Sequence, residues 1–145
     1  YAKAMPRSWL SRQATLVAEK AEQADIIITS ALIPGKEPPI LINEDTVKKM
    51  KQGSVIVDMA AGQALNGSGN CPLTKADEIV YINGVTIIGT TNLASELSAD
   101  ATSLYARNVF EFVKLLFDEN NDLKINMDDE LLAGSLLTMD GQTIK

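Results

Sequence analysis

The sequence predicts an α/β fold, half of a doubly wound parallel sheet, from three observations. Ile26, Ile27 and Ile28 form an unalternated β-branched run, the pattern of a strand buried on both faces of a parallel sheet. Ser54 to Asp58, S-V-I-V-D, repeats that pattern. Helical segments precede and separate the two runs, and each run ends in a loop marked by Gly or Pro. Ligands of open α/β sheets bind beyond the carboxyl ends of the strands, so these loops are where a site is expected.

Each element has its own local reason. Pro6 to Ala24 reads as a helix, started near Pro6 or Ser8, with Trp9, Leu10, Leu16, Val17 and Ala21 on its apolar face. The strand at Ile26 ends in A-L-I-P-G-K-E-P-P, Ala31 to Pro39. That stretch is either a ligand-facing loop or an ordinary connection whose prolines stop the strand, and spacing alone does not separate the two. Asn43 is an N-cap for a short helix with Glu44 and Asp45 in its first turn and Lys48, Lys49 and Lys51 before Gly53. Met59 to Cys71 is a long loop rich in Gly and Asn, of the kind that is often functional. Asn83-Gly84 joins Glu78–Ile82 to Val85–Ile88 as a hairpin, with a third strand end at Gly89 and the loop G-T-T-N-L after it. Ser98 to Phe117 is a long helix whose Leu104, Val109, Phe112, Val113 and Leu116 make more than one apolar stripe, which implies burial against two surfaces. Asp140-Gly141 marks a second hairpin in a tail that belongs to a different structural unit.

Totals remove several function classes. The 145 residues suffice for one core, and 46% hydrophobic with 22% charged residues is globular. Nineteen acids against 13 bases give a net charge of -6, the wrong sign for wrapping nucleic acid. No apolar run approaches the roughly 20 residues of a membrane helix. With no histidine and a single cysteine, Cys71, the chain holds neither a zinc site nor Ser-His or Cys-His catalysis, so neither a catalytic residue nor a metal ligand is assigned.

The phrases A-D-I-I-I-T-S-A-L-I-P-G-K (24–36), L-I-N-E-D-T-V-K-K-M-K-Q-G-S-V-I-V-D-M-A-A (41–61) and G-N-C-P (69–72), with Y-A-K-A-M, G-T-T-N-L and L-Y-A-R-N in order, resemble the NAD(H)-binding domain of proton-translocating NAD(P) transhydrogenase, alpha-subunit type. The resemblance covers essentially the whole chain. It implies a Rossmann-like domain, peripheral to a membrane on the bacterial cytoplasmic or mitochondrial matrix side. Such a domain holds NAD(H) against a partner NADP(H)-binding domain while a membrane domain moves protons, and it forms a homodimer. The cofactor positions it implies are Tyr1, Gln13, Ala31, Leu32, Ile33, Pro34, Asn92 and Leu93. Tyr1 to Met5 match a lid that folds over the dinucleotide. A helical Gln such as Gln13 is in general simply solvated, and Asn92 is of a common turn type. Asp58, at a strand end, has two readings, a ribose partner or a loop cap.

The G-x-G-x-x-G fingerprint that grips pyrophosphate does not occur in this sequence. The expectation is therefore a fragment, with residues 1–97 the second half of the dinucleotide domain, 98–122 a connecting helix and 123–145 returning to a companion domain. By itself it is expected to bind NAD(H) weakly or not at all, and to leave apolar surface exposed. Gly62 to Gly69 is longer than the family's usual connection and reads as surface decoration. The rival is alanine dehydrogenase, which shares the fold but carries an aspartate just after V-D-x-A, where this sequence has Gly62. A third reading is a non-catalytic interaction module that keeps only half a nucleotide fold.

Overall fold

The computed structural model describes residues 5–33 and 35–144. Tyr1, the rest of the lid segment up to Ala4, and Pro34 lie outside the described residues. In chain order the elements are α1 (Arg7–Gln23), β1 (Ile26–Thr29), α2 (Glu44–Lys49), β2 (Val55–Asp58), β3 (Ile79–Ile82), β4 (Val85–Ile88), α3 (Leu93–Glu96), α4 (Ser98–Lys114), α5 (Glu130–Ser135), β5 (Thr138–Met139) and β6 (Gln142–Thr143). They divide into two compact units, one ending at Leu93 and one beginning at Ala94.

The first unit is built on a four-stranded sheet of order β1-β2-β4-β3. β1 pairs β2 in parallel, Ile26 opposite Val55 through Thr29 opposite Asp58, and β2 pairs β4 in parallel. β3 runs antiparallel to β4 at the edge, so the sheet is mixed where the sequence predicted a parallel one. The hairpin is responsible. Asn83 and Gly84 adopt φ of 50° and 78°, the left-handed pair that a two-residue turn demands.

α1 and α2 cover one face. Ala21, Ile42, Val47, Met50, Ile56, Cys71, Val85 and Ile87 form a continuous buried cluster, with Val17, Ile27, Leu73, Val80 and Ile82 packed against it. Each fully buried aliphatic side chain there contributes about 1.5–3 kcal/mol. Asn43 caps α2 as its sequence position predicted, its side chain accepting from Thr46 N at 2.8 Å and Thr46 Oγ1 at 2.9 Å.

The prediction that β1 is buried on both faces does not hold. Ile26 is 68% exposed and Ile28 65%, whereas Thr29 is buried and Ile27 partly so. Side chains alternate between faces with period two, and only the face toward α1 and α2 is covered within this unit. Ile26 and Ile28 instead border an open apolar groove together with Leu16, Val17 and Ile42.

The second unit contains α4, α5 and the hairpin β5-β6, whose Asp140 and Gly141 again take positive φ. Asp129 caps α5, accepting from Leu131 N and Leu132 N. α4 ends at Lys114, short of the predicted Phe117, and none of its residues is buried. Leu104, Tyr105 and Phe110 are exposed, as the expectation of uncovered apolar surface required. No helix among the described residues is long and apolar enough to cross a membrane.

Candidate functional site

β1, β2 and β4 point their carboxyl ends the same way, so the loops that follow them gather at one edge of the sheet. The loop after β1 carries the A-L-I-P-G turn. Leu32 and Ile33, 52% and 47% exposed, line a groove of about 490 Å³ with Gly35, Lys36, Glu37, Gln63 and Leu65. Gln63 and Leu65 come from the loop after β2, where Leu65 is 95% exposed. Glu37 ties the two walls together, its Oε1 accepting from Leu65 N at 3.1 Å. The stretch read as surface decoration is therefore one wall of the groove.

Below the groove lies a fully buried polar network. Asp58, the last residue of β2, accepts five hydrogen bonds. Oδ1 takes them from Thr29 Oγ1, Ala60 N and Asn70 N at 3.2, 3.1 and 3.1 Å, and Oδ2 from Cys71 N and Thr74 Oγ1 at 3.0 and 2.7 Å. Of the two readings of Asp58, the geometry supports the loop cap. Its side chain is wholly enclosed and its oxygens are committed to protein donors. Gly69 is obligatory beside it, because a Cβ there would stand 2.5 Å from Asp58 Oδ1. Burial, with the neighbouring Asp58 carboxylate a lesser contributor, pushes the Cys71 thiol above its ordinary pKa.

Asn70, also fully buried, passes this order to the loop after β1. Its Oδ1 accepts from Ala31 N at 3.0 Å, and its Nδ2 donates to Ala31 O and Pro39 O at 2.9 and 2.8 Å. Its carbonyl accepts from Leu41 N and Ile42 N at 2.9 and 3.2 Å. Both backbone groups of Ala31 thus bond to Asn70.

The loop after β4 is fixed from the other side. Asp77, at φ 58°, accepts from Thr91 N at 3.0 Å and Thr91 Oγ1 at 2.6 Å. The Thr91 hydroxyl and amide together hold the Asp77 carboxyl below the ordinary aspartate range. Gly62 abuts the same threonine. A Cβ at Gly62 would lie 2.9 Å from Thr91 Cγ2, and its φ of 79° disfavours any side chain.

The predicted residues separate on this geometry. Leu32 and Ile33 share the groove, while Ala31 stands at its neck in the grip of Asn70. Asn92 is exposed and Leu93 half-buried at the start of α3, neither lining the groove. Only Ala24 and Asp25 separate α1 from β1, so the chain reverses and the start of α1 lies toward the strand ends. Gln13 falls on that side, exposed, about one turn beyond Val17, and it does not line the groove. Tyr1 and Pro34 are outside the described residues. No group of three or more His, Cys, Asp or Glu suited to a metal ion occurs among the described residues. A cleft of about 530 Å³ in the second unit, lined by Lys114, Asp118, Glu119, Lys124 and Asp129 among others, has no strand-end loops converging on it.

Residues 3–145 match the family model described as alanine dehydrogenase/PNT, C-terminal domain. The chain belongs to that family. It is 41% identical to an NAD(P) transhydrogenase subunit alpha protein of Rhodospirillum rubrum over 145 residues, which is 99% of this chain and 37% of that protein. Among solved structures, transhydrogenase from Sinorhizobium meliloti superposes with TM-score 0.60 at 40% identity, covering 69% of this chain and 29% of that one. An L-alanine dehydrogenase superposes with TM-score 0.65 at 27% identity, over 90% and 36% respectively.

Within this alanine dehydrogenase/PNT domain, sequence reasoning does not single out Asn70, Thr29, Thr74 and Asp77 as the residues that order the strand-end loops. A signal for the first exists. Asn70 follows a glycine in a long loop after a strand that ends in an acid, and an asparagine in such a place is suited to bonding backbone. Asp77 gives no comparable signal, since its partner is 14 residues away.

Proposed function

We propose that this chain is the NAD(H)-binding component of a transhydrogenase that passes hydride between NAD(H) and NADP(H), coupled to proton translocation. The observation that carries the reading is the groove beyond the carboxyl ends of β1 and β2, walled by Leu32, Ile33 and Leu65. Direct hydride transfer between two nicotinamides asks for close approach and exclusion of water, with no acid or base at the reacting carbon. Leu32 and Ile33 offer a nicotinamide-ribose apolar surface to pack on. Lys36 and Glu37 are the ionisable side chains on that groove. Ala31 contributes its methyl and the start of the turn, since its amide and carbonyl are bonded to Asn70.

The chain spans 37% of the length of its Rhodospirillum rubrum relative, and we assign the pyrophosphate grip to the remaining length. Residues 1–97 then supply the second half of the dinucleotide domain, with Tyr1 to Met5 its lid and Gln13, Pro34, Asn92 and Leu93 further contacts. The helix within 98–122 connects to a companion domain that 123–145 completes. The partners in this reading are an NADP(H)-binding domain, a membrane domain and a second copy of the same component, on the cytoplasmic or matrix side of a membrane.

The likeness to L-alanine dehydrogenase makes amino-acid oxidation the competing reading. Gly62 opposes it. The place where that enzyme is expected to carry its aspartate is a glycine at positive φ whose Cβ would crowd Thr91 Cγ2 at 2.9 Å, so no carboxylate stands there.

The deciding experiment measures reduction of an acetylpyridine analogue of NAD by NADPH with the complete protein. Turnover without alanine supports the proposal, whereas NAD reduction that depends on alanine and no transfer from NADPH overturns it.

A further inference from the structure

We infer that Asn70 is a positioning residue for the dinucleotide, closing the neck of the Ala31–Ile42 loop so that Leu32 and Ile33 are held rigidly at the groove. The inference rests on the proposed function, because it needs a ligand in that groove.

Three features carry it. Asn70 bonds both ends of the loop, Ala31 at its start and Pro39, Leu41 and Ile42 at its close. A loop tied at its neck in this way keeps its shape without a strand or helix of its own. Asn70 is in turn oriented by Asp58, whose Oδ1 accepts its amide and whose Oδ2 accepts that of Cys71. Thr29 and Thr74 complete the acceptance by Asp58, so the amide of Asn70 is anchored to the sheet itself. Finally, Asn70 stands apart from the groove that the dinucleotide is proposed to occupy. It does not line the groove, and its side chain uses acceptor and donors alike on the loop. A site is effective when its contact residues are locked by such supporting bonds.

Asparagine is also chemically specific here. The site needs one acceptor for Ala31 N and donors for two carbonyls, which a primary amide supplies and a carboxylate of the same shape does not. Asn70→Asp keeps the acceptor but faces Ala31 O and Pro39 O with oxygen instead of N–H. It therefore opens the neck with little change in volume.

The test uses the complete protein as wild type, Asn70→Asp and Asn70→Ala. Calorimetric titration with NADH is read beside amide exchange of two segments, 31–41 and 55–58. The expected result is faster exchange in 31–41 with 55–58 unchanged for Asn70→Asp, and an NADH dissociation constant raised about tenfold or more, the scale on which misplaced contact groups act. If Asn70→Ala does not fold, Asn70→Asp decides alone. NADH affinity within twofold of wild type despite a loosened loop overturns the inference, and so does an unchanged loop. Unfolding of both variants also overturns it, in favour of a purely structural role. Failure of the wild type to bind NADH is a different outcome. It removes the dinucleotide reading itself and the inference with it.

Discussion

Replacing Asp58 tests whether the network beneath the groove is as consequential as its geometry indicates. Asp58→Ala removes the acceptor of five hydrogen bonds, three from the amides of Ala60, Asn70 and Cys71 and two from the hydroxyls of Thr29 and Thr74. The hydroxyls can turn to other partners, but the amides are fixed by the backbone. Each buried donor left without a partner costs about 1–3 kcal/mol. Water entering the vacated polar space relieves some of the total, so a loss of about 4 kcal/mol is expected for the first unit. Asp58→Asn keeps an oxygen for the three bonds at Oδ1 and puts N–H₂ opposite Cys71 N, where two donors then meet. Its expected loss is about 1–3 kcal/mol. Urea unfolding followed by far-UV circular dichroism measures both, with m-values near that of wild type. A loss below about 1 kcal/mol for Asp58→Ala, or equal losses for the two variants, would refute the reasoning that these bonds are unshared and irreplaceable.

Two further outcomes follow from the same edge of the sheet. In an NMR titration Asp77 should protonate below the ordinary aspartate range, and Thr91→Ala should return it toward that range. The stabilisation it gives the 89–93 loop is then present above the unfolded-state pKa and fades as pH falls through the depressed folded value. Thr91 amide exchange that quickens on acidification over that window supports the assignment, and exchange insensitive to Asp77→Asn contradicts it. Gly89→Ala places a Cβ 2.1 Å from Lys75 O, a backbone contact that does not yield. A destabilisation of about 1–3 kcal/mol is expected in thermal melts, and a neutral result would mean that the end of β4 and the Thr74–Lys75 segment move apart freely.

Much of the fold is legible because local signals and tertiary structure agree. The β-branched runs at Ile26 and Val55, the Asn43 cap and the two positive-φ pairs at Asn83-Gly84 and Asp140-Gly141 each act within a few residues. α5 escapes a reading by pattern although Asp129 and Glu130 mark its start, because L-L-A-G-S-L-L has no clear period. The exposure of Ile26 and Ile28 is not readable either, since an apolar run reports what a strand is suited to and not what covers it in this chain. The candidate site divides in the same manner. Leu32 and Ile33 are reached only through the family resemblance, since an apolar turn with prolines after a strand is equally an ordinary connection. Asn70 acts on Ala31 from 39 residues away, and the opposing wall at Leu65 lies in a stretch without a motif of its own.

Everything functional proposed for this chain depends on a dinucleotide occupying the groove beyond the carboxyl ends of β1 and β2. Hydrogen exchange of the complete protein with and without NADH tests that occupancy most directly. Slower exchange at 31–41 and 62–69 is expected on adding NADH, with 114–129 unaffected. Protection confined to 114–129, or none at 31–41 while NADH is bound, would contradict it.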